Sequence, residues 1–312
     1  MIKIIILIPI FNDWESLKKL LDEINENIKN IKDMSFECLI VNDSSTIAQK
    51  KITKPKCLKT IKILNMTKNR GHARCNAYGI RYAIENEIFD YLILMDGDGE
   101  DRPEEIRNLI NQIILIPEMS VVAKRVKRSE GPFFKFMYFT HKLITRIFTG
   151  KKIHFGNYSC LTHKDAKKIS NEASLWSSYS GTLKKNIKEL KEIDSIRGSR
   201  YFGPSKMSLV NLIIHSFSII AVFKIQVLFR SLIIAAILLV LNEYFIKVNA
   251  VGFCFCHNNF LIILCVGQNF SCLRFRFSKI FDAEAVCLVY HAAAGLFGFS
   301  DLRECAFSAG GS

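Results

Sequence analysis

The chain has 312 residues with a formal net charge of +14, and 49% of its residues are hydrophobic. This length accommodates one sizeable domain with a smaller appendage, or two domains. The excess of lysine and arginine favours anionic partners such as phosphates or an acidic lipid surface. Nothing resembles an RNA-binding or helix-turn-helix signature, so we expect no nucleic acid among the partners.

Charged and apolar residues are unevenly distributed along the chain. Lys, Asp and Glu crowd the region before Leu209, whereas most unbroken apolar sequence follows it. This asymmetry predicts a catalytic or binding body followed by a membrane-associated end. The apolar N-terminal run passes into Pro9 without a signal-peptide cleavage pattern, so we expect the body to stay in the cytoplasm. The unpaired spacing of the cysteines in the body fits that reducing compartment.

Four short apolar segments of the first half are typical of buried parallel strands: IKIIILI, ECLIV, TIKIL and YLILM. Helical periodicity separates them, from Trp14 to Ile31 and from Ala73 to Ile84, and Pro103 marks the start of another helix. The segment SVVAKR supplies a further strand. This alternation predicts a doubly wound, mainly parallel α/β sheet, whose ligands bind at the carboxyl ends of the strands.

Amphipathic and apolar segments are predicted after the strands. An amphipathic helix is expected from Phe133 to Phe148, and an apolar segment from Leu209 to Val222. The stretch from Leu228 to Val248 is long enough to span a bilayer, and Phe253 to Val266 is a poorer second span. After Asn249 the composition changes, which indicates either a different membrane tail or a sequence that is not the native continuation, for instance through a frame error.

These patterns divide the chain into three predicted parts. We expect a catalytic domain over residues 1–206, a juxtamembrane amphipathic segment over 207–227 and a membrane-associated region over 228–312. The expected location is the cell membrane, with the catalytic domain on its cytoplasmic side. The sequence leaves self-association into a homo-oligomer open.

Polar segments follow the first four predicted strands. The first strand continues into PIFND rather than G-x-G-x-x-G, and no G-x-x-x-x-G-K-[ST] occurs, which argues against a dinucleotide Rossmann enzyme or a P-loop ATPase. The second strand ends in VNDSST, the third runs into NRGHARCNAYGI, and the fourth into DGDGED. Because the carboxyl ends of parallel strands share one edge, these segments should converge on one crevice.

The fourth segment concentrates negative charge in a basic protein. Asp96, Asp98, Glu100 and Asp101 lie within six residues. Two like charges ~4 Å apart at an effective dielectric constant of ~20 repel by ~4 kcal/mol, so crowded carboxylates need exposure, a proton or a cation. Mg²⁺ or Mn²⁺ takes oxygen ligands and keeps substrate phosphates in its shell. By itself, an Asp- and Gly-rich loop after a strand is more often a solvated turn. Together with the polar loops that follow the other strands, it predicts a metal site formed by Asp96, Asp98 and Glu100.

The segments IPIFND, VNDSST, NRG, MDGDGEDRPEE and RYFGPSK occur in this order. Together they resemble the serial motifs of family 2 inverting glycosyltransferases with the GT-A fold, and more narrowly the dolichyl- or polyprenyl-phosphate sugar synthases. The similarity extends from about Ile2 to Arg230. It implies the GT-A fold and a Mg²⁺- or Mn²⁺-dependent transfer from a nucleotide diphosphate sugar to a polyprenyl phosphate at the membrane.

The resemblance also assigns roles to residues. The predicted cofactor- and donor-binding residues are Pro9, Phe11, Asp13, Val41, Asp43, Asp96, Gly97, Asp98, Arg125, Arg200 and Lys206. Asp98 and Arg200 are the predicted catalytic residues. Asn157 stands where some relatives carry an acid proposed as a base, which leaves this chain without an assured general base. A lipid phosphate is already ionised near neutral pH, so its attack needs no strong base.

Two other functions remain open from the sequence. The same chemistry could serve a hydroxyl acceptor on a polysaccharide or lipopolysaccharide, which would require a true base. Alternatively, a non-catalytic membrane scaffold could retain the GT-A shell. Four histidines, His72, His141, His154 and His163, are interpreted as surface or packing residues rather than catalysts.

Overall fold

The computed structural model describes residues 1–127, 132–203 and 209–245, with two short strands further along, Ile263–Cys265 and Cys272–Arg274. The chain forms two compact units. The larger comprises Met1–Arg146 and Gly150–Val222, and the second comprises Ile147–Thr149 and the described residues from Phe223 onward. The domain boundaries expected at residues 206 and 227 stay a prediction.

The larger unit is built on a seven-stranded sheet. Its strands are β1 (Ile2–Ile10), β2 (Met34–Asn42), β3 (Leu58–Asn65), β4 (Tyr91–Leu94), β5 (Val121–Lys127), β6 (Phe155–Thr162) and β7 (Lys191–Ile196). The helices of the chain are α1 (Trp14–Ile28), α2 (His72–Asn86), α3 (Ile106–Leu115), α4 (Pro132–Thr149), α5 (His163–Ser170), α6 (Tyr179–Asn186), α7 (Leu209–Val222) and α8 (Lys224–Phe245).

The sheet is mixed, with the strand order β3-β2-β1-β4-β6-β5-β7. The pairs β1–β2, β1–β4, β2–β3 and β5–β7 are parallel, whereas β6 runs antiparallel to both β4 and β5. The predicted α/β class and the five predicted strands are confirmed. The sequence did not predict β6 or β7, which extend the sheet on the far side of β4.

Helices cover both faces of this sheet, which explains the almost continuous apolar character of its central strands. Side chains of β1 alternate between the faces: Ile4, Ile6 and Ile8 join the core formed with α1 and α3, while Ile5 and Leu7 join the core formed with α2, α5 and α6. This two-sided burial fixes the register of β1, and with it the position at which its polar loop begins.

The apolar C-terminal elements agree with the sequence only in part. The amphipathic helix predicted from Phe133 to Phe148 is α4, and the segment from Leu209 to Val222 is α7. No single helix within the described ranges is long and apolar enough to cross a bilayer. The two helical segments Ile213–Val222 and Lys224–Leu238 have sufficient length and apolarity only when they are counted together. Apart from the strand Ile263–Cys265, the second predicted span lies outside the described residues.

Candidate active site

The polar loops after β1, β2 and β4 lie at one edge of the sheet because these strands are parallel neighbours. Gly97 shows how closely the β4 loop approaches β1. A Cβ at this position would lie 2.9 Å from Ile10 Cγ2 and 3.0 Å from the carbonyl oxygen of Pro9. Only glycine fits this approach without displacing the end of β1, so the predicted convergence of these two loops is observed.

The loops after β1 and β2 are joined through Asn12. Its backbone has a φ of 54°, in the left-handed region that asparagine tolerates better than most residues. The Asn12 N–H donates to the Ser45 hydroxyl at 2.8 Å, and its side-chain oxygen accepts from the Ile47 N–H at 3.0 Å. These bonds fix the chain between Phe11 and Asp13, two of the predicted donor-binding residues.

Asp43 anchors the loop that precedes α2. Its two carboxylate oxygens accept hydrogen bonds from the backbone N–H groups of Arg70 at 2.7 Å and Gly71 at 2.8 Å. The NRG segment, residues 69–71, thus receives its position from Asp43. The side chain of Val41 is buried in the core beneath α2. The proposed contacts of Asp43 and Val41 with a nucleotide stay predictions.

Hydrogen bonds fold the acidic loop after β4 into a compact turn. The backbone N–H of Asp96 donates to Asp101 Oδ2 at 2.9 Å, and that of Glu100 donates to Asp98 Oδ1 at 3.0 Å. Gly99 has a φ of +89°, and a Cβ on it would lie 2.5 Å from the Tyr201 ring. Glycine is therefore required here both by its backbone conformation and by the neighbouring ring.

The inner acids of this loop, Asp96 and Asp101, meet three side chains from other elements. Asp96 Oδ1 lies 2.9 Å from His72 Nε2 and accepts a hydrogen bond from Asn157 Nδ2 at 3.3 Å. Arg125 places one guanidinium nitrogen 3.5 Å from Asp101 and 4.0 Å from Asp96. The predicted residues Asp96, Arg125 and Asn157 are therefore in one cluster.

The outer acids are paired with the segment Arg197–Gly203, which we call the arginine segment. Arg200 donates to Asp98 at 2.7 Å and to Asp13 at 2.8 Å, so it joins the β1 and β4 loops. Arg197 forms an ion pair with Glu100. Two backbone bonds hold this segment against the acidic loop, from the Gly198 N–H to the Glu100 carbonyl at 2.8 Å and from the Tyr201 N–H to the Asp98 carbonyl at 3.0 Å.

The close packing of the acids shifts their pKa values. Burial and repulsion by Asp96 raise the pKa of Asp98 to about 6, against the attraction of Arg200. The same two effects raise the pKa of Asp101 to about 7. Burial opposes ionisation of Asp96 as well, but His72 and Arg125 hold its pKa well below the usual range. Asp96 is thus the acid that keeps its charge.

The carboxylate oxygens of the β4 loop are chemically suited to bind a divalent cation. No group of three or more His, Cys, Asp or Glu side chains in the described part of the chain is arranged to hold a metal ion by itself. The carboxylates of Asp96 and Asp98 are nevertheless ligands that Mg²⁺ or Mn²⁺ takes when substrate phosphates complete the shell. The raised pKa of Asp98 reflects burial first and repulsion by Asp96 second, and such an ion would relieve the repulsion. Glu100 is paired with Arg197 in this arrangement.

The sequence reasoning missed three members of this cluster. His72, interpreted as a surface or packing residue rather than a catalyst, has a side chain that is 46% exposed and also contacts Asp96. Arg197 and Asp101 were not assigned to the site, although Arg197 precedes Arg200 by three residues and Asp101 closes the acidic segment. Lys206 lies outside the described residues.

The chain is similar in sequence to known proteins. Residues 5–171 match the family Glycosyl transferase family 2. An undecaprenyl-phosphate 4-deoxy-4-formamido-L-arabinose transferase from Yersinia pestis is 28% identical over 218 residues, which are 68% of this chain and 64% of that protein. An uncharacterized glycosyltransferase, YkcC, from Bacillus subtilis is 30% identical over 139 residues, 42% of this chain and 39% of that protein. The alignments thus span less than two thirds of these relatives.

Solved structures share the fold. Mannosyl-3-phosphoglycerate synthase from Rubrobacter xylanophilus superposes with a TM-score of 0.53 at 12% identity, covering 88% of this chain and 86% of that one. Glucosyl-3-phosphoglycerate synthase from Mycobacterium tuberculosis gives a TM-score of 0.52 at 11% identity, covering 72% and 79%. The predicted GT-A fold is therefore confirmed. With its sequence match across more than half of the chain, this protein belongs to glycosyl transferase family 2.

Proposed function

We propose that the protein is a metal-dependent inverting glycosyltransferase that moves one sugar from a nucleotide diphosphate sugar to a polyprenyl phosphate at the cytoplasmic face of a membrane. The observation that carries this proposal is the meeting of the β4-loop acids with Arg125, Arg197 and Arg200 at the carboxyl edge of the sheet. Acids and guanidinium groups together suit a metal-bound diphosphate, which carries charge of both signs.

The donor is held, in this proposal, between the β1 and β4 loops. Asp96 and Asp98 would hold Mg²⁺ or Mn²⁺, with Glu100 as the further predicted ligand, and the ion would supply charge stabilisation to the departing diphosphate. The mycobacterial structure with the same fold contains Mn²⁺ and UDP-glucose. Arg200 lies between Asp13 and Asp98. When the donor binds, its guanidinium would release one of these carboxylates and donate to a diphosphate oxygen instead. Asp43 keeps the neighbouring loop in position through Arg70 and Gly71.

The acceptor is a lipid phosphate for a chemical reason. One of its ionised oxygens forms the new bond to the anomeric carbon while the bond from that carbon to the diphosphate oxygen breaks, so no proton has to be removed. Asn157, which donates to Asp96, is not a base. The Yersinia relative is named for transfer to undecaprenyl phosphate, and its match covers 68% of this chain.

Attachment to a membrane is supported by apolar side chains that face solvent. On α4, Phe139 and Leu143 are 63% and 46% exposed and lie one turn apart, with the basic residues Lys142 and Arg146 on the same helix. On α8, Leu228, Phe229, Leu232 and Ile233 are also exposed. Apolar and cationic groups together favour an anionic lipid surface over water.

The test is incubation of membranes containing the protein with labelled UDP- and GDP-sugars, polyprenyl phosphate and Mn²⁺. The proposal predicts a lipid-linked sugar with inverted anomeric configuration, lost when Asp98 is changed to asparagine. Asp22→Asn, which alters an exposed acid of α1, is the matched control and should behave like the wild type.

Two outcomes would overturn the proposal in different ways. Transfer to a saccharide hydroxyl but not to the lipid phosphate would favour the alternative acceptor class. Absence of any transfer, with Asp98→Asn and the wild type binding nucleotides equally, would favour a non-catalytic scaffold.

A further inference from the structure

Asn76 is a buried polar residue whose side chain has no hydrogen-bond partner in the described part of the chain. Three buried side-chain polar atoms among the described residues have no hydrogen-bond partner, and two of them are Nδ2 and Oδ1 of Asn76. The third is Nε of Arg200, which already belongs to the site. Leaving a buried donor or acceptor unsatisfied costs about 5-fold to 150-fold in the folding equilibrium for each group. A residue kept under such a cost calls for a functional reason.

The position of Asn76 points toward the candidate active site. It lies one helical turn after His72 on α2, and residues four apart share a face of a helix. Helical side chains lean toward the N-terminus, so the Asn76 amide leans toward His72. His72 in turn contacts Asp96 at 2.9 Å. The unpaired amide is therefore the next polar group inward from the metal-binding acids along this helix.

The helix itself cannot carry the amide out to solvent. A Cβ on Gly79 would lie 2.3 Å from Leu7 Cδ1, so α2 sits directly against β1. Asn76 is only 1% exposed, whereas the side chain of His72 is 46% exposed. Movement of the His72 side chain is thus the simplest way for a ligand group to reach the amide.

We propose that Asn76 is a specificity-determining residue that hydrogen-bonds a hydroxyl group of the donor's sugar when His72 moves aside. A carboxamide offers two donors and one acceptor, which matches a sugar hydroxyl that both accepts and donates. This inference rests on the proposed function, because it needs a sugar donor in the crevice. It assigns the sugar end of the donor to the α2 side of the acidic loop.

The test compares wild type, Asn76→Leu and Asn86→Leu in the full-length protein, in detergent with Mn²⁺. Leucine nearly matches asparagine in shape and removes both unpaired groups. Asn86 is an exposed asparagine at the end of the same helix and serves as the control. Calorimetry measures binding of UDP-glucose against UDP and of GDP-mannose against GDP, and thermal unfolding is followed without ligand.

We expect Asn76→Leu to raise the thermal midpoint of the ligand-free protein and to weaken binding of the nucleotide sugar by about tenfold. Binding of the matching nucleoside diphosphate, which has no sugar, should stay unchanged, as should every value for Asn86→Leu. A lowered midpoint would show that the amide already has a partner, such as an internal water, and would overturn the inference. So would an unchanged ratio of sugar-nucleotide to nucleotide affinity. Failure of the wild type to bind any of the four ligands would instead overturn the proposed function.

Discussion

The guanidinium of Arg200 donates to the carboxylate of Asp98 at 2.7 Å, and its second terminal nitrogen donates to Asp13 at 2.8 Å. The two acids follow neighbouring parallel strands, so one side chain holds together the loops that we propose to bind the donor. This relationship explains why the arginine segment lies next to the acidic loop. It also makes Arg200 the residue whose loss affects both loops at once.

We predict that Arg200→Gln lowers kcat/KM by about 10²- to 10³-fold, because it removes charge stabilisation from the departing diphosphate. Arg200→Lys should recover only part of this loss, since an ammonium group cannot bridge two carboxylates in the planar fork geometry. The measurement is steady-state transfer of labelled sugar. Arg107→Gln, at an exposed position on α3, should leave kcat/KM within about twofold of the wild type. Activity of Arg200→Gln equal to that of Arg107→Gln would exclude Arg200 from the reaction.

Gly99 and Gly71 offer a matched pair for the acidic loop. Both have positive φ, +89° and +87°, but a Cβ on Gly99 would meet the Tyr201 ring whereas a Cβ on Gly71 has nothing within 4 Å. Gly71 also has a ψ of 158°, a backbone region almost exclusive to glycine, so Gly71→Ala should cost about 1–3 kcal/mol of unfolding free energy from backbone strain alone. Gly99→Ala should cost more, by about 1–3 kcal/mol for the steric conflict, and should also reduce transfer. Equal thermal stability of the two variants would contradict the observed packing of Tyr201 on this loop.

We predict that Asp43 stabilises the fold through the loop that it anchors. Asp43→Asn replaces one carboxylate oxygen by an NH₂ group facing a backbone N–H, which should lower the unfolding free energy by about 1–3 kcal/mol. Asp33→Asn is the control, because Asp33 is exposed and has a φ of 61° that asparagine tolerates equally well. Thermal unfolding of the two variants is the measurement. A stable Asp43→Asn variant that fails to bind nucleotide would mean that Asp43 serves the ligand rather than the loop.

The exposed side chains of α4 lead to a prediction about lipid binding. Changing Phe139 and Leu143 together to serine should reduce co-flotation with phosphatidylglycerol vesicles, because both apolar groups would otherwise enter the interface. Changing Ile114 and Leu115 on α3, which are exposed to a similar degree, should have no effect. Equal flotation of both double variants would show that α4 does not contact lipid.

The sequence predicted the sheet well where burial is two-sided. The strands β1, β2 and β4 are short apolar runs between polar loops, a pattern with few alternatives. The missed strand β7 has the sequence KEIDSI, and three of its six residues are exposed and two only partly buried, because it forms the edge of the sheet. Without a continuous apolar run, β7 has no strong signal in the sequence, and the antiparallel return of β6 between β4 and β5 could not be expected from the alternation of strands and helices.

Only part of the candidate site could be predicted from the sequence. The acids of the β4 loop could be predicted because four of them follow one strand. The partner of each acid could not, since His72, Arg125 and Arg197 come from three distant segments and meet the loop only in the fold. The hydrogen bonds of Asp43 to backbone N–H groups were equally invisible, because backbone donors leave no trace in residue type.

Metal-dependent binding of a nucleotide diphosphate sugar tests the central claim most directly. Calorimetry of the full-length protein with UDP- and GDP-sugars should show binding in Mn²⁺ that is abolished by EDTA and weakened at least about tenfold in Asp98→Asn, with Asp22→Asn unchanged. Binding of equal strength with and without the metal ion, or in Asp98→Asn and the wild type alike, would contradict a cation held between the β4-loop acids and the donor's phosphates.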